Sequence, residues 1–217
     1  RAPAADLPES FRPPASAPDH PRPALSPSEL GGAKALPGDE GADEATAKRL
    51  GTQVHRLLEH LPRIPPDEWD ETARRLLAGD ANSAEESEVA IALDAARRVL
   101  AEPGCQFLFA PGALAEVPVS ANLDALGGRR VHGVIDRLLV EPDRVLAVDF
   151  KTNARVPPRA RDTPDGLLRQ MGAYAAALDP VFPGRRIDTA ILWTSAPVLV
   201  PLPHDLVTAA LARAEFA

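Results

Sequence analysis

Apolar residues along the chain follow two patterns, short continuous runs and stripes with helical spacing. The densest runs are Val131–Val140 and Val145–Lys151, both rich in Val, Ile and Leu, as β-strands are. The segment between them, Glu141-Pro142-Asp143-Arg144, contains the Pro and Asp that turns tolerate. The pattern therefore predicts a β-hairpin in which Val140 faces Val145.

Helical spacing predicts a series of amphipathic helices around this hairpin. The first one carries a single apolar stripe, formed by Leu50, Val54, Leu57, Leu58 and Leu61. A capping-box pattern at Ser83-Ala84-Glu85-Glu86 predicts the start of the third, which runs to Leu100. The first helix covers Ala42–Leu61, and the remaining ones cover Pro65–Ala78, Pro164–Leu178 and His204–Phe216.

Further strand patterns lie on both sides of the hairpin. Ala113–Asn122 alternates between apolar and polar positions, and its Pro118 indicates an edge strand or an irregularity. Ile187–Thr194 is apolar on both faces, as in a buried strand. Val198–Leu202 predicts either another strand or an irregular extension. We therefore expect an α/β domain with a central mixed β-sheet flanked by helices, plus an N-terminal helical cover.

Residues 1–40 differ in composition from the rest, because they are rich in Pro, Ala, Ser and Gly. Such a stretch holds neither a regular helix nor a central strand. It predicts a linker that reaches from, or wraps over, a neighbouring domain, with residues 41–217 forming the folded domain. Within it, Ser26 is placed to cap a short helix that has Pro27 at its first position.

Composition limits the classes of function. The 217-residue chain has a formal net charge of −7, which argues against a free-standing nucleic-acid binder but not against a local basic groove. Cys105 is the only cysteine, so this chain alone builds neither a disulfide framework nor a four-cysteine iron–sulfur cluster. No apolar run approaches the ~20 residues of a membrane span, and we expect a cytoplasmic protein.

The hairpin carries the candidate chemistry. Its predicted register places Asp136 opposite Asp149, and strand alternation places Lys151 on the same face. Opposed carboxylates destabilise a sheet unless a positive charge lies between them, and a divalent cation is the simplest candidate. Basic residues are almost all Arg, so a lysine at the end of an apolar strand indicates a role that arginine cannot fill.

Two other residues have both a plain and a functional interpretation. His55 flanks the apolar stripe of the first helix, either as a boundary residue or as a ligand for a metal or phosphate, with Gly51 allowing close approach of the backbone. Glu116 is either an ordinary outward carboxylate or a third acidic group near the hairpin.

The segment after the hairpin is basic and the next helix is polar on one side. Arg155, Arg159 and Arg161 lie in a Pro-rich loop that either is solvated or binds a phosphate backbone. Gln170 and Tyr174 are four residues apart and therefore share one helix face.

These residues occur in an order that resembles a known family. The pattern is similar to the RecB-type branch of the PD-(D/E)xK nucleases, and most similar to the C-terminal nuclease domain of AddA-type helicase–nuclease subunits. The resemblance covers Leu25 to Ala217. The matching motifs are Gly51-Thr52-x-x-His55-x-x-Leu58, Glu116-x-Pro118, Gly133-x-x-Asp136-Arg137, Asp149-Phe150-Lys151-Thr152 and Gln170-x-x-x-Tyr174.

The resemblance implies a restriction-endonuclease-like fold and a metal-dependent DNA nuclease. His55, Asp136, Asp149 and the Phe150 carbonyl would ligate Mg²⁺ or Mn²⁺. Lys151 would orient or activate the attacking water and stabilise the developing negative charge. Gln170 and Tyr174 are implied to act near the same pocket and the DNA, and Glu116 as an additional metal contact or a residue behind the ligands.

It also implies a wider context. The domain would hydrolyse the single strand that an ATP-dependent helicase–nuclease produces while it resects double-strand ends for recombinational repair, together with an AddB-type partner. The sequence contains no Walker A motif, so the ATPase would lie in a preceding helicase domain. Two alternatives are a non-catalytic nuclease-like module that guides DNA or binds a partner subunit, and a stand-alone RecB-like exonuclease.

Overall fold

The computed structural model describes residues 23–36, 44–78 and 84–214. Its helices and strands follow one another in the order that the sequence pattern predicts, with most boundaries within two residues of expectation. The α-helices are α1 (Glu44–His60), α2 (Trp69–Ala78), α3 (Glu86–Ala101), α4 (Asp165–Leu178) and α5 (His204–Ala212). The strands are β1 (Leu114–Leu123), β2 (Arg129–Val140), β3 (Arg144–Lys151), β4 (Arg186–Trp193) and β5 (Val198–Leu202).

The strands form one mixed sheet in the order β1-β2-β3-β4-β5. Only β3 and β4 run parallel, and α4 forms the crossover that a parallel pair needs. The hairpin of β2 and β3 has the predicted register, with Val140 opposite Val145. Val198–Leu202, whose pattern allows either a strand or an irregular extension, is the edge strand β5.

Pro118 lies in edge strand β1, as the sequence indicated, and the register explains why it is tolerated. It is paired with Val134 of β2. The neighbouring even-numbered His132 donates its amide to Leu25, away from β1. Amide groups of even-numbered β2 residues therefore point away from β1, and the missing N–H of Pro118 breaks no hydrogen bond between the two strands.

Helices cover both faces of the sheet and enclose two hydrophobic layers. Helices α1, α2 and α3 pack over one face, where Leu57 and Leu58 belong to the same apolar cluster as Leu146 and Phe150. Helices α4 and α5 cover the other face around Met171. The expected arrangement, a mixed sheet flanked by helices with an N-terminal helical cover, is confirmed.

Residues 23–36, which we call the N-terminal strap, lie across β2 and the start of α4. Leu25 forms an isolated bridge with Val131, and Leu30 is fully buried. The strap needs glycine on its partners: a Cβ at Gly133 would lie 2.8 Å from the ring of Pro27. The assignment of residues 1–40 to an interdomain linker stays a prediction, and residues 1–22 and 37–40 are outside the described part.

Helix capping differs from expectation in detail. The short 3-10 helix Pro27–Glu29 follows Ser26 as predicted, but the Ser26 hydroxyl bonds to Ser28 and does not cap the helix. At the start of α3, the amide of Glu85 donates to Glu88 over 3.2 Å, two residues later than the predicted box. Ser83 lies outside the described residues. Within the described ranges, no helix is long and apolar enough to cross a membrane.

Candidate active site

Asp149 is the most enclosed charged group of the candidate site. It lies near the end of β3 and is 3% exposed. Lys151, two residues further along the same strand, pairs with its Oδ2 atom. Gln170 of α4 donates its amide N–H to Oδ1 over 2.6 Å. The carboxylate is thus held from the strand on one side and from the helix on the other.

Asp136 is fixed on the neighbouring strand β2. The last paired residues of the hairpin are Arg137 and Val148, so Asp136 and Asp149 are the next residues on the two strands. The Oδ2 atom of Asp136 accepts the amide of Phe150 at 2.5 Å. Its Oδ1 atom lies 3.4 Å from Nδ1 of His55. The predicted register of the hairpin therefore brings the two carboxylates to adjacent positions just beyond its last pair.

The pKa values of the two carboxyl groups shift in opposite directions because their partners differ. Burial raises the pKa of Asp149. The charge of Lys151 acts against this, and the like charge of Asp136 adds to it. Burial also disfavours the charged form of Asp136. There the hydrogen bond and charge of His55, and the Phe150 amide, outweigh burial and hold the pKa of Asp136 below its usual value.

His55 belongs to this site and not simply to the helix boundary. Its ring packs edge-on against Phe150, with the ring centroids 5.5 Å apart. Burial lowers the pKa of His55, but the hydrogen bond and charge of Asp136 outweigh burial, so the pKa is raised. Gly51, one turn earlier in α1, permits this approach, since a Cβ there would lie 2.9 Å from Oγ1 of Thr152.

Glu116 occupies an unusual backbone position beside the two aspartates. The pairs on either side of it, Ala115 with Arg137 and Val117 with Ile135, bracket Glu116 and Asp136. Glu116 is the one non-glycine residue of the described part with a positive φ, 49°. Burial raises the pKa of Glu116 and the charge of Asp136 raises it further. The geometry places a third acidic group near the hairpin, and its role as a metal contact stays a prediction.

Gln170 and Tyr174 form a buried hydrogen-bonded chain behind Asp149. The amide of Gln170 also approaches the Tyr174 hydroxyl at 3.3 Å, and that hydroxyl donates to the carbonyl oxygen of Val134 over 2.6 Å. Val134 lies beyond the part of β2 that pairs with β3, so tyrosine satisfies a carbonyl that the sheet leaves open. Both side chains are therefore placed to orient Asp149.

The basic loop after β3 carries less free charge than its sequence suggests. Arg159 makes two hydrogen bonds to Asp162, at 2.7 and 3.1 Å. Arg155 also has an interaction partner, while Arg161 is exposed. Contact of this loop with DNA stays a prediction.

A cavity of about 240 Å³, the first cavity, opens beside His55 and Lys151. Sequence reasoning missed one residue in its wall, Lys48. The signal was present, since Lys48 precedes His55 by two helical turns and therefore shares its face of α1. Two of the three lysines of this arginine-rich chain thus line one cavity. The remaining wall is formed by Gly51, Thr52, Phe150, Thr152 and Asn153.

The types of ligand fit the expected metal, but the side chains do not converge as they would around a bound ion. Two carboxylates and an imidazole suit Mg²⁺ or Mn²⁺. The like charges of Asp136 and Asp149 at neighbouring positions also favour a cation between them. However, no three His, Cys, Asp or Glu side chains in the described part converge closely enough to hold a metal ion. Ligation by His55 and by the Phe150 carbonyl therefore stays a prediction.

Comparisons with known proteins place the chain in a family. No curated protein matches it. The crystal structure of SSO0001 is 14% identical and aligns over 78% of this chain and 84% of that chain, but its TM-score of 0.29 is too low to bear on the fold or function. The sequence model of the PD-(D/E)XK nuclease superfamily matches residues 29–199. That match covers well over half of the chain, and the protein belongs to the PD-(D/E)XK nuclease superfamily.

Proposed function

We propose that this domain is a divalent-metal-dependent DNA exonuclease that hydrolyses phosphodiester bonds of single-stranded DNA. Membership of the PD-(D/E)XK superfamily indicates a nuclease. The observation that carries the proposal is the position of Asp149, which is buried next to Asp136 and held by Lys151 and Gln170. Its partner Lys151 lines an open cavity.

Each side chain has a role that follows from its position. His55, Asp136, Asp149 and the Phe150 carbonyl would hold Mg²⁺ or Mn²⁺, which supplies an acidified water and a polarised phosphoryl oxygen when it is bound. The ammonium of Lys151 reaches the first cavity, where it would orient the attacking water. It would also stabilise the negative charge that develops on the phosphoryl oxygens.

In this mechanism Gln170 and Tyr174 act through Asp149 and not directly on the substrate. Because both are buried behind Asp149, we assign them to positioning that carboxylate. The hydrogen bonds lock a rotamer that would otherwise respond to the repulsion of Asp136. Fixing a reactive geometry in advance is a general source of rate enhancement.

The wider context of the proposal is supported by the order of the motifs. They resemble those of the nuclease domain of AddA-type helicase–nucleases, which work with an AddB-type partner on double-strand ends. In that setting a motor would deliver the strand, which is consistent with a net charge of −7 on a nuclease chain.

The test replaces Asp149 or Lys151 with alanine in the full-length protein. We expect cleavage of single-stranded DNA with Mg²⁺ to be abolished in both variants while DNA unwinding by the same protein is retained. Asp94→Ala is the matched control, because Asp94 is an exposed carboxylate of α3 away from the site. Undiminished cleavage by both active-site variants would refute the assignment.

A Mn²⁺ titration separates this function from the non-catalytic module. Wild-type protein should bind Mn²⁺ in calorimetry, and the Asp136→Asn variant should bind it more weakly. If Mn²⁺ binding were absent from the wild type, a module that guides DNA or binds a partner would be the better description.

A further inference from the structure

A second cavity, of about 340 Å³, lies at the other end of α1 from the first. Its wall includes Glu59, Arg63, Phe109, Pro111 and Arg137. Arg137 directly follows Asp136, and Glu59 follows His55 by one helical turn. The second cavity therefore continues the face of α1 that carries Lys48 and His55.

Arg137 is buried in a way that leaves part of its guanidinium unused. The residue is 3% exposed, and its Nη2 donates to the carbonyl oxygen of Leu58 over 2.7 Å. The guanidinium carbon lies 4.9 Å from the centre of the Phe109 ring. Its Nε is buried and has no hydrogen-bond partner within the described residues. Leaving such a donor unsatisfied is costly, and an acceptor in the cavity would remove that cost.

The charges around the second cavity favour an anion there. Within the described ranges, neither Arg63 nor Arg137 forms an ion pair with a carboxylate. Burial lowers the pKa of Arg137, and the charge of Arg63 lowers it further. The charges of Glu116, Asp136 and Glu59 act on that pKa in the opposite direction. Glu59 itself pairs with His60, at 3.6 Å. Two guanidiniums that repel each other beside a cavity are suited to a phosphate, which a planar N–H fork binds well.

We propose that the second cavity is a phosphate-binding subsite that holds the backbone of the DNA strand one or more nucleotides away from the cleaved bond. Arg63 and Arg137 contact the phosphate, and the wall of Phe109 and Pro111 packs against the sugar and base. The strand then runs along α1, from the side of Lys48 past His55 to Arg63. This inference rests on the proposed function, because the phosphate belongs to the strand that the first cavity would cleave.

The test compares Arg63→Gln with Arg75→Gln in the full-length protein without divalent metal. Both arginines are exposed, but Arg75 lies on α2 and lines neither cavity. A short oligothymidylate is the probe, and hydrogen exchange of the peptides spanning 59–64 and 107–114 is the local readout. In the wild type and in Arg75→Gln we expect the oligonucleotide to slow exchange in both peptides.

In Arg63→Gln the protection of these two peptides should be lost while that of the peptide containing His55 remains. The salt exponent of oligonucleotide binding should fall by about 0.7, the value for one phosphate contact on a single strand. Arg137→Lys, which keeps the charge and loses the planar fork, should lose the protection too. Thermal melting of that variant must show a folded protein, since its bond to Leu58 changes as well.

Several results would overturn the subsite. One is that the oligonucleotide does not slow hydrogen exchange at 59–64 and 107–114 in the wild type. Another is that Arg63→Gln behaves like Arg75→Gln. Protection by inorganic phosphate with none by the oligonucleotide would assign the cavity to a free anion instead. These are binding measurements, so they decide the question even if the wild type fails to cleave DNA, a result that would refute only the proposed function.

Discussion

Replacing Gln170 with leucine removes the hydrogen bond that holds Asp149 from the side of α4. The bond is 2.6 Å long and lies in a buried site, where solvent does not replace the lost donor. A hydrogen bond to a charged group contributes about 1.5–3 kcal/mol. Since 1.36 kcal/mol corresponds to a factor of ten in rate, kcat/KM should fall about ten- to a hundredfold if the bond acts on the transition state.

The assay measures cleavage of a single-stranded oligonucleotide by the full-length protein with saturating Mg²⁺. Tyr174→Phe is the matched control, because it keeps the bond from Gln170 to Asp149 and removes the 3.3 Å contact behind it together with the hydroxyl's bond to Val134. Its kcat/KM should fall less than about tenfold. It should also lower the free energy of unfolding by about 1 kcal/mol, since the carbonyl of Val134 loses its donor.

Urea unfolding of each variant separates loss of activity from loss of structure. If the Gln170→Leu variant is folded and cleaves at the wild-type rate, Asp149 does not depend on this bond. The same conclusion follows if Tyr174→Phe is slower than Gln170→Leu, because the residue further from the carboxylate would then matter more.

Two further predictions concern pH and packing. Asp136 raises the pKa of His55 above its ordinary 6.5, so the ion pair should stabilise the fold fully below pH 6.5 and be lost as pH rises through the raised value. Urea unfolding in EDTA between about pH 5.5 and 9 measures this. At Gly172 an added Cβ would lie 2.4 Å from the carbonyl oxygen of Val207 in α5. Gly172→Ala should lower the free energy of unfolding by about 1–3 kcal/mol through overpacking, less about 1 kcal/mol of gained helix propensity, again by urea unfolding.

Each of these has a simple control. His55→Asn should flatten the pH dependence, and an equally steep dependence in that variant would assign it to another group. Ala209→Ser changes an exposed position of α5 and should leave stability within about 0.5 kcal/mol. Gly172→Ala at wild-type stability would show that α5 shifts without cost.

The hairpin was predictable because its determinants are local. A turn-forming segment between two apolar runs fixes the pairing of Val140 with Val145, and alternation then brings Asp136 next to Asp149. Pro118 likewise indicated an edge strand or an irregularity, and β1 is an edge strand. Helix faces followed from spacing, since the stripe of α1 does bury Leu57 and Leu58.

Other parts of the site depend on contacts that no local pattern encodes. The bond from Gln170 to Asp149 depends on how α4 crosses the sheet, and the buried pose of Arg137 depends on the end of α1. Glu116 has a positive φ, and glutamate is not a residue type whose presence indicates one. Sequence periodicity defines which face a residue occupies but not which partner meets that face.

The position of the N-terminal strap indicates the order in which parts of the structure unfold. Each strand of the sheet neighbours the next one in sequence, so its hairpins are low in contact order and close quickly. The strap and α1 reach the sheet from the far end of the chain, with Leu25 beside Val131. Such elements are the first to open in local unfolding when they dock on a core that is stable without them. His55 would leave with α1, so under the proposed function we expect nuclease activity to end before the sheet itself melts.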